Sequence, residues 1–162
     1  MSGGARRPAT SPPSGFDEFA ATTGPRLRAG LVAAYGPHDG ADAASAALEY
    51  GLRHWDRLAT MDNPAGYLYR VGQTSARRSA RRPLTLPVPS PSELPDFEPR
   101  LVPALDALSR LQRTCVVMVH GYGWGQTEVA ELLDVSPSSV RTHLARALAR
   151  LRDALEVGHD AD

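Results

Sequence analysis

Hydrophobic residues recur every three or four positions over most of the chain, which is the spacing of an amphipathic helix. Residues 16–82 carry this pattern, and residues 101–156 carry it again. No segment shows the strict alternation of apolar and polar residues that marks a half-buried strand. The pattern therefore predicts an all-α fold that consists of two small helical domains.

The segments outside these two domains have a different composition. Residues 83–100 contain six prolines. Because neither a helix nor a central strand tolerates that density, they are predicted to form an extended linker. Residues 1–15 consist mostly of Gly, Pro, Ser and Ala and are predicted to be a disordered tail. Residues 157–162 form a second, short tail.

The first domain is predicted to contain three or four helices. The pattern indicates one helix over residues 15–35, with Pro25 as a point of interruption, and a second over residues 41–57. Asn63 is a good N-cap and Pro64 is a good first helical residue, so a third helix begins here. It is expected to continue into the arginine run that ends the domain.

The second domain opens with a leucine repeat. Leu101, Leu105 and Leu108 are spaced i, i+4 and i+7, so they share one helical face. A short helix within "QRTCVVMVHG" follows, and Gly121 is its predicted C-cap. Cys115 in this apolar run is predicted to be a buried thiol.

The segment "QTEVAELLDVSPSSVRTHLARALARLRDAL" has the pattern of a helix-turn-helix. Val129, Leu132 and Leu133 share one face of its short first helix. In the turn, Ser136 can cap the next helix and Pro137 can be the first residue of that helix. At about 100° per residue the long second helix has one apolar stripe, formed by Val140, Leu144, Ala147, Leu148, Leu151 and Leu155.

The opposite side of the long helix is small, polar or basic near its N-terminus, as a helix that enters the DNA major groove requires. Arg141 and Arg146 are long enough to reach guanine edges or phosphates. The helix N-terminus itself favours an anion. The sequence therefore predicts a DNA-binding helix-turn-helix, and an ordinary helical hairpin with a solvated arginine face is the alternative interpretation.

The net charge of zero hides an uneven distribution of charge. All 18 basic residues are arginine, which partly reflects the codon bias of a GC-rich, bacterial genome and is discounted to that extent. Residues 16–69 have a net charge of −3, whereas residues 70–82 carry five arginines and residues 141–152 carry four, both without an acid. Local positive fields therefore survive the neutral total, and the first arginine run can follow a phosphate backbone.

The segment "LSRLQRTCVVMVHGYGWGQTEVAELLDVSPSSVRTHLARALARLRDAL" resembles region 4 of bacterial sigma-70 factors, and within them the extracytoplasmic-function (ECF) group. The segment "GLRHWDRLATMDNPAGYLYRVGQTSARRSARR" resembles their region 2 in a divergent form. This resemblance covers residues 16–155. It implies a transcription initiation factor that binds core RNA polymerase and directs it to promoter DNA, with region 4 reading the minus-35 element as duplex.

The resemblance also implies roles for particular residues. Region 2 holds the polymerase clamp with its second helix and melts the minus-10 element, and residues 58–62 correspond to the loop that captures an unstacked base. The implied polymerase-binding residues are Glu49, Leu52, Arg53 and Trp55. The implied DNA-binding residues are Gln126, Thr127, Ser138, Ser139, Arg141, Thr142, His143 and Arg146 in region 4, with Arg77, Arg78, Arg81 and Arg82 in region 2.

Region 2 departs from the family pattern in both of its functional helices. Where the clamp-binding helix of the family often has an acid, a glutamine and an aromatic residue, this chain has Ser45, Leu48 and Gly51. Where the third helix usually has asparagine and aspartate, this chain has Thr74 and Arg78. Binding to polymerase and melting of the promoter are therefore less firmly implied than duplex binding by region 4.

The sequence leaves alternatives open. One alternative is a helix-turn-helix regulator of the sigma-like or response-regulator type, which would bind duplex DNA without polymerase. Another is a protein-interaction module whose helices bind a helix of a partner protein. The acid-free arginine face of residues 141–152 favours DNA over a pure interaction module. Trp55, Tyr67 and Tyr69 are candidates for stacking on an unpaired base, but aromatic residues at helical spacing are more often core.

Other classes of protein find little support in the sequence. The glycine-rich "GYGWG" lacks the Lys-Ser/Thr pair of a phosphate loop, and the five histidines include no i, i+4 pair at metal-ligand spacing. We therefore expect no enzyme activity and no cofactor. No apolar run approaches the roughly 20 residues that span a bilayer, and no secretory signal is recognisable. The expected protein is cytoplasmic, with no membrane insertion, and the family resemblance adds an anti-sigma protein as a further partner.

Overall fold

The computed structural model describes residues 15–79 (the first lobe) and residues 100–156 (the second lobe). Within these ranges every regular element is helical, which confirms the all-α prediction. Both predicted tails fall on residues that the structure does not describe, apart from Gly15, and the predicted linker does so up to residue 99. Arg81 and Arg82 also lie outside the described residues.

Eight α-helices and one π-helical turn make up the described ranges. The first lobe contains α1 (Phe16–Tyr35), α2 (Pro37–Arg53), α3 (Trp55–Leu58) and α4 (Pro64–Ser79). The second lobe contains α5 (Leu101–Asp106), α6 (Arg110–Val116), the π-helical turn (Val117–Gly121), α7 (Gln126–Leu133) and α8 (Pro137–Glu156).

The first two helices differ from their predicted form. The expected interruption at Pro25 is wrong, because α1 passes through this residue without a break. A proline removes one backbone donor, and the buried side chains of Phe16 before it and Leu27 after it hold the helix in place on both sides of the gap. The second helix begins at Pro37 rather than at residue 41, since a proline suits the first turn of a helix.

The second predicted helix is also too long at its C-terminal end. At His54 the backbone adopts φ −124° and ψ 19°, and this breaks the helix before α3 begins at Trp55. The predicted start of α4 is confirmed, because the Asn63 side-chain oxygen accepts a hydrogen bond from the Gly66 amide at 2.8 Å. A Cβ at position 66 would lie 2.5 Å from the Asn63 side chain, so glycine is needed at this cap.

Two boundaries in the second lobe depart from the sequence prediction. The helix of the leucine repeat ends at Asp106, so Leu108 is not on it, although Leu108 is buried. Gly121 is not a C-cap, because α6 continues into the π-helical turn and the glycine with positive φ is Gly123. The free thiol of Cys115 is fully buried, as predicted, and burial raises its pKa to about 11.

The two lobes pack against each other around a continuous apolar core. Helix α1 lies against α2 and α4 of its own lobe and against α6 and the π-helical turn of the second lobe. Helix α4 also contacts α7. This arrangement leaves α8, the last helix, on the outer side of α6 and α7, where one of its faces is free.

Candidate nucleic-acid interface

Helices α7 and α8 form the predicted helix-turn-helix. The turn begins at Asp134, whose backbone is left-handed at φ 54° and ψ 49°. This conformation allows the Val135 amide to bond to the Ala130 carbonyl at 3.0 Å, which closes the last turn of α7. An aspartate tolerates the left-handed region better than most residues do.

The next helix begins as the sequence predicts. The Ser136 hydroxyl accepts a hydrogen bond from the Ser139 amide at 3.1 Å, so Ser136 is the N-cap of α8 and Pro137 is its first residue. A second hydrogen bond of 2.9 Å joins the hydroxyls of Ser136 and Ser138. Serine side chains therefore fix the first turn of α8, and the residues on its outer surface are small and polar.

An apolar stripe holds α8 on the rest of the second lobe. Val140, Leu144, Ala147 and Leu151 are buried, in agreement with the predicted stripe. They meet buried residues of α7 and α6 in the core. Leu148 and Leu155, which were predicted to complete the stripe, are half-buried at its edge. Because this stripe packs against α6 and α7, the opposite side of α8 faces outward.

Most of the region 4 residues predicted to bind DNA are exposed on the outer side of this unit. Arg141 and Arg146 are exposed, and neither forms an ion pair with any residue of the described ranges. Ser139 is half-buried, and its amide donates to the Ser136 hydroxyl. The remaining exposed members of the predicted set are Gln126 and Thr127 at the start of α7, and Ser138 and Thr142 on α8.

His143 differs from its neighbours on α8. It is half-buried, and its Nδ1 atom is buried and has no hydrogen-bond partner among the residues that the structure describes. The side chain therefore lies at the flank of the exposed face rather than at its centre. A DNA contact from His143 stays a prediction, and this position suits a contact with the backbone at the edge of a groove better than one with a base.

In the first lobe, the described arginines predicted to meet DNA lie in the last turn of α4. Arg77 and Arg78 are both exposed there. Positive side chains at this end also complement the partial negative charge of the helix C-terminus. Their surface is accessible to a phosphate backbone, and DNA binding by these arginines stays a prediction.

A groove between α2 and α4 brings predicted polymerase-binding and DNA-binding residues together. It has a volume of about 410 Å³, and its lining includes Glu49, Arg53 and Arg78. Glu49 and Arg53 form an i, i+4 ion pair across one helical turn. Leu52 beside them is 40% exposed, which is unusual for a large hydrophobic residue within residues 15–79 and 100–156.

Trp55 does not share this exposed surface. Its ring is 8% exposed and packs edge-on against Phe16, with ring centroids 5.4 Å apart. Tyr69 is buried as well, so the core interpretation of these aromatics fits better than base stacking, while Tyr67 is half-buried. In this conformation the Trp55 ring is buried against α1 and cannot present its face to a partner.

One polar cluster in the first lobe gave no signal in the sequence. Arg57 donates hydrogen bonds to the hydroxyl of Tyr50 at 2.8 Å and to that of Tyr67 at 3.3 Å. The hydrogen bond between the two tyrosines lowers the pKa of Tyr50, with the Arg57 charge acting in the same direction, and it raises the pKa of Tyr67. Because these residues lie on three helices, no single periodicity reveals the cluster, which ties α3 to α2 and α4.

The described helices form an all-α fold with an exposed helix-turn-helix, and comparison with known proteins identifies the class of protein. The family model "Sigma-70, region 4" matches residues 100–151. An RNA polymerase sigma-E factor of Streptomyces antibioticus is 30% identical over 131 residues, covering 74% of this chain and 72% of the relative. A sigma-E factor of Streptomyces avermitilis is 31% identical over 131 residues, covering 74% and 73%.

A solved structure supports the same fold. The sigma factor RpoE of Bartonella quintana, solved in complex with the anti-sigma factor NepR, matches with a TM-score of 0.61. The match covers 88% of this chain and 97% of that one at 18% sequence identity. None of the helices in the described ranges is both long enough and apolar enough to cross a membrane.

These findings identify the chain as a member of the sigma-70 family, in its ECF group. Such factors are transcription factors that bind core RNA polymerase and direct it to promoters. The similarity to sigma-E factors extends over both lobes, which favours a polymerase specificity subunit over a regulator that binds duplex DNA alone.

Proposed function

We propose that this chain performs its function as an initiation factor through two separate surfaces, one on each lobe. The second lobe reads the minus-35 element as duplex, with the N-terminal half of α8 in the major groove. The observation that carries this proposal is that Arg141 and Arg146 are exposed and form no ion pair with the residues described here, beside a capped and small first turn. Free guanidinium groups can bond to guanine edges or phosphates without first breaking an internal ion pair.

Within this interface the residues have different tasks. Gln126 and Thr127 in the first turn of α7 contact phosphates, where backbone amides also point outward. Ser139 and Arg141 contact base edges and so determine which sequence is preferred. Arg146, farther along α8, contacts phosphate and contributes affinity without selectivity. The remaining contributors are Ser138, Thr142 and His143.

The first lobe contributes polymerase binding and melting. Glu49, Leu52 and Arg53 bind the polymerase clamp, and residues 58–62 capture an unstacked base of the minus-10 element. Arg77 and Arg78, together with Arg81 and Arg82 beyond the described range, follow the DNA backbone. The Arg57 cluster gives the capturing loop a fixed position, since it joins α3 to both neighbouring helices.

The cellular setting follows from this role. The chain acts in the cytoplasm with polymerase, and it works by binding rather than by catalysis, so it needs no cofactor. Because the structural relative is solved with an anti-sigma factor, we propose that a protein of that class regulates this chain as well. The two-domain organisation, with residues 16–82 and 101–156 joined by a proline-rich linker, is part of the same proposal.

Runoff transcription with core polymerase and a promoter library tests the proposal. The full-length chain should produce transcripts from a subset of promoters, and the combined substitution of Ser139, Arg141 and Arg146 by alanine should abolish that selection. Arg152→Ala, which changes an exposed arginine at the far end of the same helix, is the matched control. Duplex binding without any transcript or co-elution with polymerase would favour the regulator that binds DNA alone.

A further inference from the structure

A small pocket lies where α4, α6 and α7 meet. Its volume is about 290 Å³, near the lower end of the range for small-molecule sites. Helix α4 contributes Tyr69, Gln73 and Arg77 to its lining, and α6 contributes Arg110 and Thr114. The end of α7 and the turn after it complete the wall. None of the described residues that line this pocket is acidic, so its charge is positive.

The two arginines of the pocket have no internal counter-charge. Arg77 and Arg110 are both exposed, and neither forms an ion pair with another residue of the described ranges. The Arg110 guanidinium carbon lies 4.4 Å from the centroid of the Tyr35 ring. A guanidinium that stacks on a ring keeps its charge and its donors while the side chain is held in place. Two such groups at one pocket favour a phosphoryl group, whose oxygens can accept from both.

The uncharged polar groups of the pocket are compatible with an anion. Thr114 is 1% exposed, and its hydroxyl donates to the Arg110 carbonyl at 2.8 Å, while its oxygen can still accept. The half-buried Gln73 amide offers both donors and an acceptor. Tyr69 lies beside both, and burial raises the pKa of its hydroxyl, which therefore stays protonated and neutral at neutral pH. A ligand with hydrogen-bonding groups of its own finds partners here without meeting a negative charge.

The rest of the wall is apolar. Leu111 of α6, Leu133 at the end of α7 and Val135 in the turn after it line the pocket, and all three are half-buried. Asp134, which lies between the last two in the sequence, is paired with Arg70, so its charge is compensated. Partly exposed aliphatic side chains beside two guanidinium groups suit a ring that bears a phosphoryl group, because the ring would remove their apolar surface from water.

We propose that this pocket is a small-molecule site that binds a mononucleotide-sized organic phosphate. The phosphoryl group lies between Arg77 and Arg110, and the ring of the ligand packs on the apolar wall. This inference goes beyond the proposed function, because neither promoter reading nor polymerase binding uses Arg110 or that wall. A DNA strand offers phosphates as well, and Arg77 is proposed to follow one, so the tests below distinguish a free nucleotide from a strand.

Isothermal titration calorimetry of the full-length free chain with adenosine 5′-monophosphate (AMP) tests the site. We expect a dissociation constant of about 0.1 mM, since a small site with few contacts binds weakly. Adenosine, which lacks the phosphoryl group, and inorganic phosphate, which lacks the ring, should each bind about tenfold more weakly. No measurable binding of AMP at millimolar concentration would overturn the proposal, and so would equal affinities for AMP and adenosine.

The variant Arg110→Met tests whether the nucleotide lies in this pocket. It keeps an apolar side chain over the Tyr35 ring and removes the charge, so the affinity for AMP should fall about tenfold. Arg28→Met is the matched control and should bind AMP as the unaltered chain does. Arg28 is exposed on α1, does not line the pocket and forms no ion pair within the described ranges. Equal affinities for Arg110→Met and the unaltered chain contradict the assignment.

A second variant keeps the test valid if Arg110→Met unfolds, which circular dichroism would reveal. Glutamate has nearly the size of glutamine and is a good helix former, so Gln73→Glu changes little at this position except the charge. The new carboxylate repels a phosphoryl group, and the affinity for AMP should fall by about tenfold or more. An unchanged affinity would mean that the nucleotide binds elsewhere, and the proposal would be wrong.

A competition experiment separates a free nucleotide from a DNA strand. A single-stranded oligonucleotide of about ten nucleotides, without terminal phosphates, is added to the chain with bound AMP. It should displace AMP only at a much higher concentration, because each internal phosphate carries a single charge and the pocket has room for one nucleotide. Displacement at equal concentration would show that the two arginines follow a backbone, and it would overturn the proposal. None of these measurements involves polymerase or a promoter, so their outcome is independent of the proposed function, which runoff transcription tests.

Discussion

The Ser136 hydroxyl lies 3.1 Å from the Ser139 amide nitrogen, and this one contact fixes where the recognition helix begins. The same turn presents the small outer residues that a major-groove helix needs. We therefore expect Ser136→Ala to lower the free energy of unfolding by about 1 kcal/mol, as the loss of an N-cap usually does. Urea denaturation measures the change.

The control for this prediction keeps the cap. Asn is as good an N-cap as Ser, so Ser136→Asn should leave the free energy of unfolding within a few tenths of a kcal/mol of the unaltered chain. If Ser136→Ala and Ser136→Asn are equally stable, the hydroxyl does not hold the helix.

Arg146 and Arg141 are expected to affect DNA binding in different ways. Arg146→Ala should weaken binding to every duplex to a similar extent and reduce the slope of log affinity against log salt by about 1, because one phosphate contact is lost. Arg141→Ala should instead change the ranking of sequences at one position by roughly 1–3 kcal/mol. Fluorescence anisotropy on a panel of duplexes at several salt concentrations distinguishes the two, and identical effects would contradict the assigned roles.

Leu52 offers a test of the predicted polymerase surface that spares the fold. Because the side chain is 40% exposed on α2, Leu52→Asp should leave the melting temperature almost unchanged and weaken binding to core polymerase at least tenfold. Val102→Asp is the matched control, since Val102 is 49% exposed but lies on α5 in the second lobe. Equal losses of polymerase binding for the two variants would remove Leu52 from the interface.

The Glu128 carboxylate is expected to give the fold a dependence on acid pH. A hydrogen bond from the Gly125 amide lowers its pKa below the ordinary value of 4.5, and the Arg26 charge adds to this. A lowered pKa in the folded state means that the carboxylate stabilises the fold above pH 4.5, and that this contribution is lost as the pH falls further. Glu128→Gln should therefore be less stable than the unaltered chain at pH 7 and approach it in acid. A difference that does not change with pH contradicts the assignment.

The sequence predicted the structure best where a local pattern, such as an N-cap or an apolar stripe, agrees with how the helix packs. The caps at Asn63 and Ser136 each precede a proline that suits a first helical turn, and both helices begin where predicted. The outward face of α8 was predictable because its apolar stripe is long and regular. In these places the same few residues determine both where a helix begins and which face of that helix becomes buried.

The sequence was least informative where distant segments meet. Neither Arg113 nor Arg26 stands in a recognisable pattern, because each side chain finds its partner about 80 or 100 residues away. Trp55 follows the family pattern for a polymerase contact, yet Phe16 from a preceding helix covers its ring. Pro25 looked like a helix breaker because the burial of its neighbours is a tertiary effect that local propensity does not contain.

The crossing of α1 and α2 at Gly40 is tight enough to exclude a single methyl group. A Cβ at Gly40 would be 2.5 Å from both the Leu31 carbonyl oxygen and the Val32 Cα. Because these are backbone atoms that cannot rotate away, Gly40→Ala should destabilise the fold by about 2–3 kcal/mol despite the better helix propensity of alanine. Gly121→Ala is the comparison, since its Cβ would meet Val117 at an ordinary 3.7 Å and should change stability by less than about 1 kcal/mol. Urea denaturation of both variants measures the difference, and a Gly40→Ala chain as stable as Gly121→Ala would show that the two helices can move apart.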